Sequence, residues 1–206
     1  IIDLLCEKNC LRRSGSVMVN ATRIGKLRSE NMQGLERKLM DTLRTIPDFP
    51  KKGIQYKDIT PILSDHRLMM GIMTQWVTDF KPMTLDVVVG VASSGFIFGM
   101  PLALGLEANF VPARKAGKLP YSTISQSYSL EYGTATLEMH EDAIQKGQRV
   151  LVVDDLLATG GTLSAACQLV EQLEGKVVSC AVLIRLAFLK GEENLNGIPV
   201  SAILNC

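Results

Sequence analysis

Short apolar runs recur along this chain of 206 residues, and each one stops at a turn signal. Val150-Leu151-Val152-Val153 ends on the carboxylates Asp154-Asp155, and Leu85 to Val91 breaks into Ala92-Ser93-Ser94-Gly95. Val177 to Arg185 and Pro199 to Leu204 are two more such runs. β-Branched runs of this length predict strands buried on both faces of a sheet. Between them the period lengthens. Leu35, Leu39, Met40 and Leu43 have helical spacing within Asn31 to Thr45, and Pro47 and Pro50 forbid its continuation. Further helices are predicted over His66–Phe80, over Phe96–Leu104 with Pro101 as a local irregularity, and over Thr162–Leu173, where Gly175 supplies the stop. Gly53 to Pro61 reads as an extended piece with one aromatic, and Asn109 to Pro112 as a short strand before a basic loop, Arg114 to Pro120. The stretch from there to about Glu138 is polar, β-rich and short of core residues, which predicts a mobile flap. Strands alternating with helices predict an α/β fold whose parallel strands are joined by right-handed crossovers. Residues 1–30 show no sustained period, and a partly disordered N-terminal extension is expected there, leaving 31–206 as one domain.

Composition narrows the class. A hydrophobic fraction of 47% and a charged fraction of 21% are those of a soluble globular protein long enough for a sizeable core. A formal net charge of +1 argues against a polyanion-binding surface, so no nucleic-acid partner is expected. No apolar run approaches a membrane span, and Ile1 to Leu5, interrupted by Asp3, is too short for a signal-peptide core. The five cysteines lack zinc spacing, and their odd number reads as free thiols of a cytoplasmic protein, with Cys167 and Cys180 in the core. His66 and His140 are too isolated to be proposed as ligands or bases and read as surface residues.

The chemistry concentrates after the Val150 run. Asp154-Asp155 is followed by Ala158-Thr159-Gly160-Gly161-Thr162 and then by an amphipathic helical pattern. That order is a buried strand, a tight loop and a helix N-terminus, where backbone N–H groups and the helix dipole favour an anion. Two carboxylates just upstream would repel a phosphate but suit the hydroxyls of a sugar attached to it. A sugar phosphate is therefore the predicted ligand. No lysine follows the glycine pair, so this is not a Walker A loop, and the glycine spacing is wrong for a dinucleotide fingerprint.

The loop resembles that of the type I phosphoribosyltransferases, which bind 5-phosphoribosyl-1-pyrophosphate (PRPP). Other stretches resemble the adenine phosphoribosyltransferases in particular: Phe49-Pro50 with Gly53 to Pro61, Gly95-Phe96-Ile97-Phe98-Gly99, Arg114-Lys115 with Gly117-Lys118-Leu119-Pro120, and Ser129-Leu130-Glu131-Tyr132-Gly133. The resemblance implies a central, mainly parallel sheet flanked by helices, with a flexible flap and a small N-terminal hood. It implies transfer of the phosphoribosyl group of PRPP to adenine, giving AMP and pyrophosphate, with Mg2+ held through PRPP and water rather than by a protein cage. It implies that Asp154 and Asp155 hold the ribose hydroxyls beside the developing positive charge. Ala158, Thr159, Gly160, Gly161 and Thr162 would hold the 5-phosphate. Ser93, Ser94, Arg114, Lys115 and Lys118 would face pyrophosphate, and Glu131 is the implied general acid/base. Tyr56 is expected to stack on adenine with Leu156 opposite and Gln55 alongside, in a homodimer.

One stretch departs from the family. An acid, a small residue and Arg usually precede Gly-Phe, where this chain has Ala92-Ser93-Ser94 before Gly95-Phe96. Losing a charge-assisted bond to pyrophosphate costs about 1.5–3 kcal/mol, so Ser94→Arg is expected to raise kcat/KM for PRPP. Two alternatives stand beside adenine transfer: a transferase for guanine, hypoxanthine or xanthine, and a PRPP-sensing regulator without catalysis.

Overall fold

The protein is described from a computed structural model covering residues 21–130 and 133–206, with side chains from 32 to 128 and from 133 onward. Two compact units divide the chain, Ile1–Gly34 and Leu35–Cys206. Helix α1 spans Ala21–Thr42 and so begins before the Asn31 expected from apolar spacing. Its first turns carry Ala21, Ile24 and Leu27 at helical spacing among good helix formers, too short a stripe beside Gly25 and Ser29 to stand out as a period.

A small antiparallel hairpin follows, β1 (Arg44–Pro47) with β2 (Gln55–Asp58), and it pairs Ile46 with Tyr56. Asp58 ends the hairpin by accepting the N–H (2.9 Å) and the hydroxyl (2.7 Å) of Thr60, which opens the short helix α2 (Thr60–Leu63). These bonds hold the Asp58 carboxyl below the usual carboxylate range. Helix α3 covers His66–Phe80, as its period predicts, and Asp65 caps it by accepting from the Arg67 N–H at 2.8 Å.

The main sheet has seven strands: β3 (Val87–Val91), β4 (Asn109–Lys115), β5 (Thr123–Leu130), β6 (Gly133–His140), β7 (Arg149–Leu157), β8 (Lys176–Arg185) and β9 (Val200–Asn205). Their order is β5-β6-β4-β3-β7-β8-β9. The five from β4 to β9 are parallel, and β6 and β5 add an antiparallel edge. Helix α4 (Ser94–Leu106, with Pro101 inside) links β3 to β4, and α5 (Gly161–Gln172) links β7 to β8. The two crossovers leave the sheet centre in opposite directions, so β3 and β7 flank the topological switch point, where open α/β sheets bind ligands.

Strand alternation sorts the core into two layers. Val87, Val89, Val150 and Val152 pack with Leu163 and Leu169 of α5, whereas Val88, Leu151 and Val153 pack with Trp76, Phe98 and Leu102 of α3 and α4. The stretch expected to form the flap is β-rich, as predicted, and consists of β5 and β6. It is a regular hairpin anchored in the core, because Leu137 and Met139 are fully buried with Ile124 and Tyr128 against them. Its alternation carries only two large apolar side chains inward per strand, too few to stand out among polar neighbours. The basic stretch also starts in regular structure: Arg114 and Lys115 end β4 and pair with Glu138 and Leu137 of β6.

At the end of α5 it is Glu174 that turns left-handed (φ 60°), while Gly175 is small for want of space. A Cβ there would lie 2.8 Å from a methyl of Ile144 and 2.9 Å from one of Val170. Cys167 and Cys180 are buried with their sulfurs 3.6 Å apart. Their mutual hydrogen bond, then burial, pushes the Cys180 thiol well above its usual range. His66 is exposed as expected, but His140 is half-buried against Tyr121, with a buried Nε2 that has no partner.

Candidate active site

The β-branched interior of β7 carries its two carboxylates to the carboxyl end of the strand, where alternation separates their fates. Asp154 is buried, whereas Asp155 is half-exposed. The Asp155 N–H donates to Asp154 Oδ1 at 2.9 Å. Burial, followed by the charge of Asp155, pushes the Asp154 carboxyl well above its ordinary range, which favours its protonated form.

The neighbouring strand end supplies the facing wall. Beyond β3 the chain passes through Ala92 and Ser93, joined by a cis peptide, and enters α4 at Ser94. The Ser94 hydroxyl donates to Asp155 Oδ1 at 2.7 Å. Ser94 therefore holds one of the two carboxylates, a contact invisible in a sequence that separates the two residues by 61 positions. Gly95 makes this closeness possible. A Cβ there would lie 2.5 Å from the Val153 carbonyl oxygen and 3.3 Å from Asp154 Cα.

Past Leu157 the loop Ala158–Gly160 turns into α5. Gly160 caps the helix with φ 85°, and its carbonyl accepts the Ser164 N–H at 2.8 Å. The half-exposed Ala158, Thr159, Gly161 and Thr162 surround the helix N-terminus, where unpaired N–H groups and the macrodipole suit a phosphate. Strands β4, β3 and β7 are adjacent and parallel, so Arg114 and Lys115, Ser93 and Ser94, and Asp154 and Asp155 all stand at carboxyl ends of neighbouring strands. Arg114 donates to the Lys118 carbonyl at 2.8 Å, and Glu138 accepts the Gly117 N–H at 2.9 Å, which shapes the basic turn with Lys115 and Lys118 exposed.

The residues expected to hold the base come from two elements, the β1–β2 hairpin and β7. Gln55 and Tyr56 sit on the β1–β2 hairpin; Tyr56 is 44% exposed and its ring meets Phe49 edge-on at 5.2 Å. Leu156 is half-buried against the layer that holds α3 and α4. Among the described residues no ring contact or hydrogen bond joins Tyr56 to Leu156. Glu131 lies outside the described residues.

Sequence reasoning missed a second support of the loop. Gly191 and Asn194, in a 3-10 turn over Gly191–Leu195, press on it from a segment about thirty positions downstream. Only a glycine at 191 beside a run of short polar residues hinted at close backbone approach there.

Comparison with known proteins agrees with this fold. The phosphoribosyl transferase domain model matches residues 55–196. An adenine phosphoribosyltransferase of Natranaerobius thermophilus is 52% identical over 166 residues, which cover 81% of this chain and 97% of that protein. The crystal structure of adenine phosphoribosyltransferase from Rhodothermus marinus superposes with a TM-score of 0.80 at 48% identity, covering 84% of this chain and 99% of the other. The Saccharomyces cerevisiae enzyme, solved with an imino-altritol bisphosphate and adenine, gives a TM-score of 0.80 at 38% identity, with coverages of 84% and 99%.

Proposed function

This chain belongs to the adenine phosphoribosyltransferase family, and we propose that it moves the 5-phosphoribosyl group of PRPP onto adenine, releasing pyrophosphate and leaving AMP. The observation that carries this reading is the Ser94–Asp155 hydrogen bond at the switch point. It joins the strand end that faces pyrophosphate to the one that faces the ribose.

The residues divide the work by chemistry. Backbone N–H groups of Ala158 to Thr162 bind the 5-phosphate at the start of α5. Asp154 and Asp155 take the ribose hydroxyls, and Asp155 stands near the anomeric carbon as it becomes oxocarbenium-like. Fixed charge there is worth most because the site needs no reorganisation as the bond breaks. Ser93 and Ser94 present neutral donors to pyrophosphate, with Arg114, Lys115 and Lys118 as its cations. Tyr56, Gln55 and Leu156 bind the base, and holding both reactants aligned supplies much of the remaining rate. Glu131 moves the imidazole proton of the purine as N9 attacks.

Magnesium fits this donor set as an ion carried on the substrate. Among the described residues no three His, Cys, Asp or Glu side chains cluster as a cage, and Mg2+ is commonly held by one or two carboxylates, waters and substrate phosphates. Asp154 and Asp155 would hold it through water. When bound, it neutralises charge on the leaving pyrophosphate.

A homodimer is supported by the outer face of α4, where Ile97, Met100 and Leu104 are 44%, 47% and 70% exposed at helical spacing. A cytoplasmic location is supported by the free Cys167, Cys180 and Cys206. No described helix is long and apolar enough to cross a membrane.

The test is AMP formation from adenine, PRPP and magnesium, with guanine and hypoxanthine in parallel. Adenine-selective turnover that Glu131→Ala abolishes is the expected result. Binding of PRPP without turnover on any base would overturn it in favour of a sensor.

A further inference from the structure

The loop proposed to receive the phosphate is supported from outside. Its outer side is covered by the 3-10 turn Gly191–Leu195, and the two backbones meet so closely that both contact positions require glycine. A Cβ on Gly160 would clash with the Gly191 carbonyl oxygen, and one on Gly191 would clash with the Ala158 carbonyl oxygen. The turn adds one directed bond to this contact: Asn194 Nδ2 donates to the Thr159 carbonyl at 2.7 Å.

The turn is itself pinned. Leu195 is buried in the core below. Arg185, the last residue of β8, bonds Glu192 of the turn and donates to Asn205 Oδ1 of β9 at 2.7 Å. The Leu186 N–H donates to the Leu157 carbonyl at 2.9 Å, which ties the start of this segment to the end of β7. The turn is thus a fixed wall built on two strand ends.

From these contacts we propose that Asn194 is a positioning residue for the 5-phosphate of the substrate, acting through the Thr159–Gly160 peptide. In a trans peptide the carbonyl and the next N–H point in opposite directions along one plane. Holding the Thr159 oxygen from outside therefore sets the direction of the Gly160 N–H, which belongs to the phosphate loop. A loop whose peptide planes are set before the ligand arrives loses less entropy on binding. The phosphate keeps its charge and place through the reaction, so this support acts on ground state and transition state alike. It is expected in KM for PRPP and not in kcat.

The inference rests on the phosphoribosyl transfer reading, and its test keeps the two apart. Wild-type turnover of adenine and PRPP tests the reading. Calorimetric titration with ribose 5-phosphate alone tests the loop support, with no need of turnover. Asn194→Asp loses the donor and sets a carboxylate against the Thr159 oxygen, so it is expected to weaken ribose 5-phosphate binding and raise KM for PRPP by about tenfold. Asn194→Ala is expected to cost about threefold, and Asn194→Gln, which keeps the amide donor, less than Ala. The KM for adenine, kcat at saturating PRPP and Tm stay near wild-type values. Unchanged ribose 5-phosphate binding in both Asp and Ala variants would overturn the proposal. So would a parallel loss of adenine affinity and Tm, which would mark a general structural role.

Discussion

Ser94→Ala probes the hinge between the two halves of the site. The substitution removes the hydroxyl that donates to Asp155 Oδ1 at 2.7 Å and leaves the α4 backbone untouched. A bond to a charged acceptor contributes about 1.5–3 kcal/mol, and both partners are half-exposed here, so the lower end applies. Water can replace the lost donor, which keeps Asp155 solvated but frees its carboxylate to rotate away from the ribose. The expected result is a fall of about tenfold in kcat/KM for PRPP, with Tm lowered by no more than about 4 °C. Steady-state AMP formation with PRPP varied at saturating adenine measures the first, and thermal unfolding the second. Ser94→Thr, which keeps the hydroxyl, is expected to recover most of the loss. Ser94→Arg pulls two ways: it adds the cation usual in the family but gives up the hydroxyl bond to Asp155. The net gain in kcat/KM is then at most about tenfold, smaller than the missing cation alone suggests. If Ser94→Ala keeps kcat/KM within about twofold of wild type, the bond does not orient Asp155 and the reasoning fails.

Two further outcomes follow from the same strand ends. Asp154 has a raised native pKa, so the folded state binds its proton more tightly than the unfolded chain, and its contribution to stability fades as pH rises from about 4 through that native value. Asp154→Asn is therefore expected to raise Tm near neutral pH, to lose that gain near about pH 4, and to lose transferase activity throughout; melting curves across pH, with a turnover assay, check all three. Gly95→Ala would put a Cβ 2.5 Å from the Val153 carbonyl, forcing α4 off the end of β7, so a destabilisation of about 1–3 kcal/mol in urea unfolding and loss of turnover are expected.

Much of the architecture is legible along the chain because buried parallel strands and amphipathic helices announce themselves locally. His66–Phe80 matches α3, and the runs from Leu85, Val150, Val177 and Pro199 supply strands β3, β7, β8 and β9. The strand, turn and helix that carry the two carboxylates and the loop proposed for the phosphate were legible for the same reason, since they are consecutive in the chain. What local pattern misses depends on partners. The β5–β6 hairpin looks polar because half of each strand faces away from the core, and only its partner surface reveals Leu137 and Met139 as buried. The early start of α1 is marked only by Ala21, Ile24 and Leu27, a stripe too short and too interrupted by Gly25 and Ser29 to be read.

The type of ligand, a phosphate beside a diol, therefore belongs to the sequence: residue chemistry at short spacing suffices for it. Which groups aim that chemistry belongs to the tertiary structure alone. Ser94 meets Asp155, Gly95 meets Val153, and Asn194 holds Thr159 only because parallel strands deliver their carboxyl ends side by side. No spacing along a chain encodes that adjacency, which arises from the order in which crossovers lay the strands together.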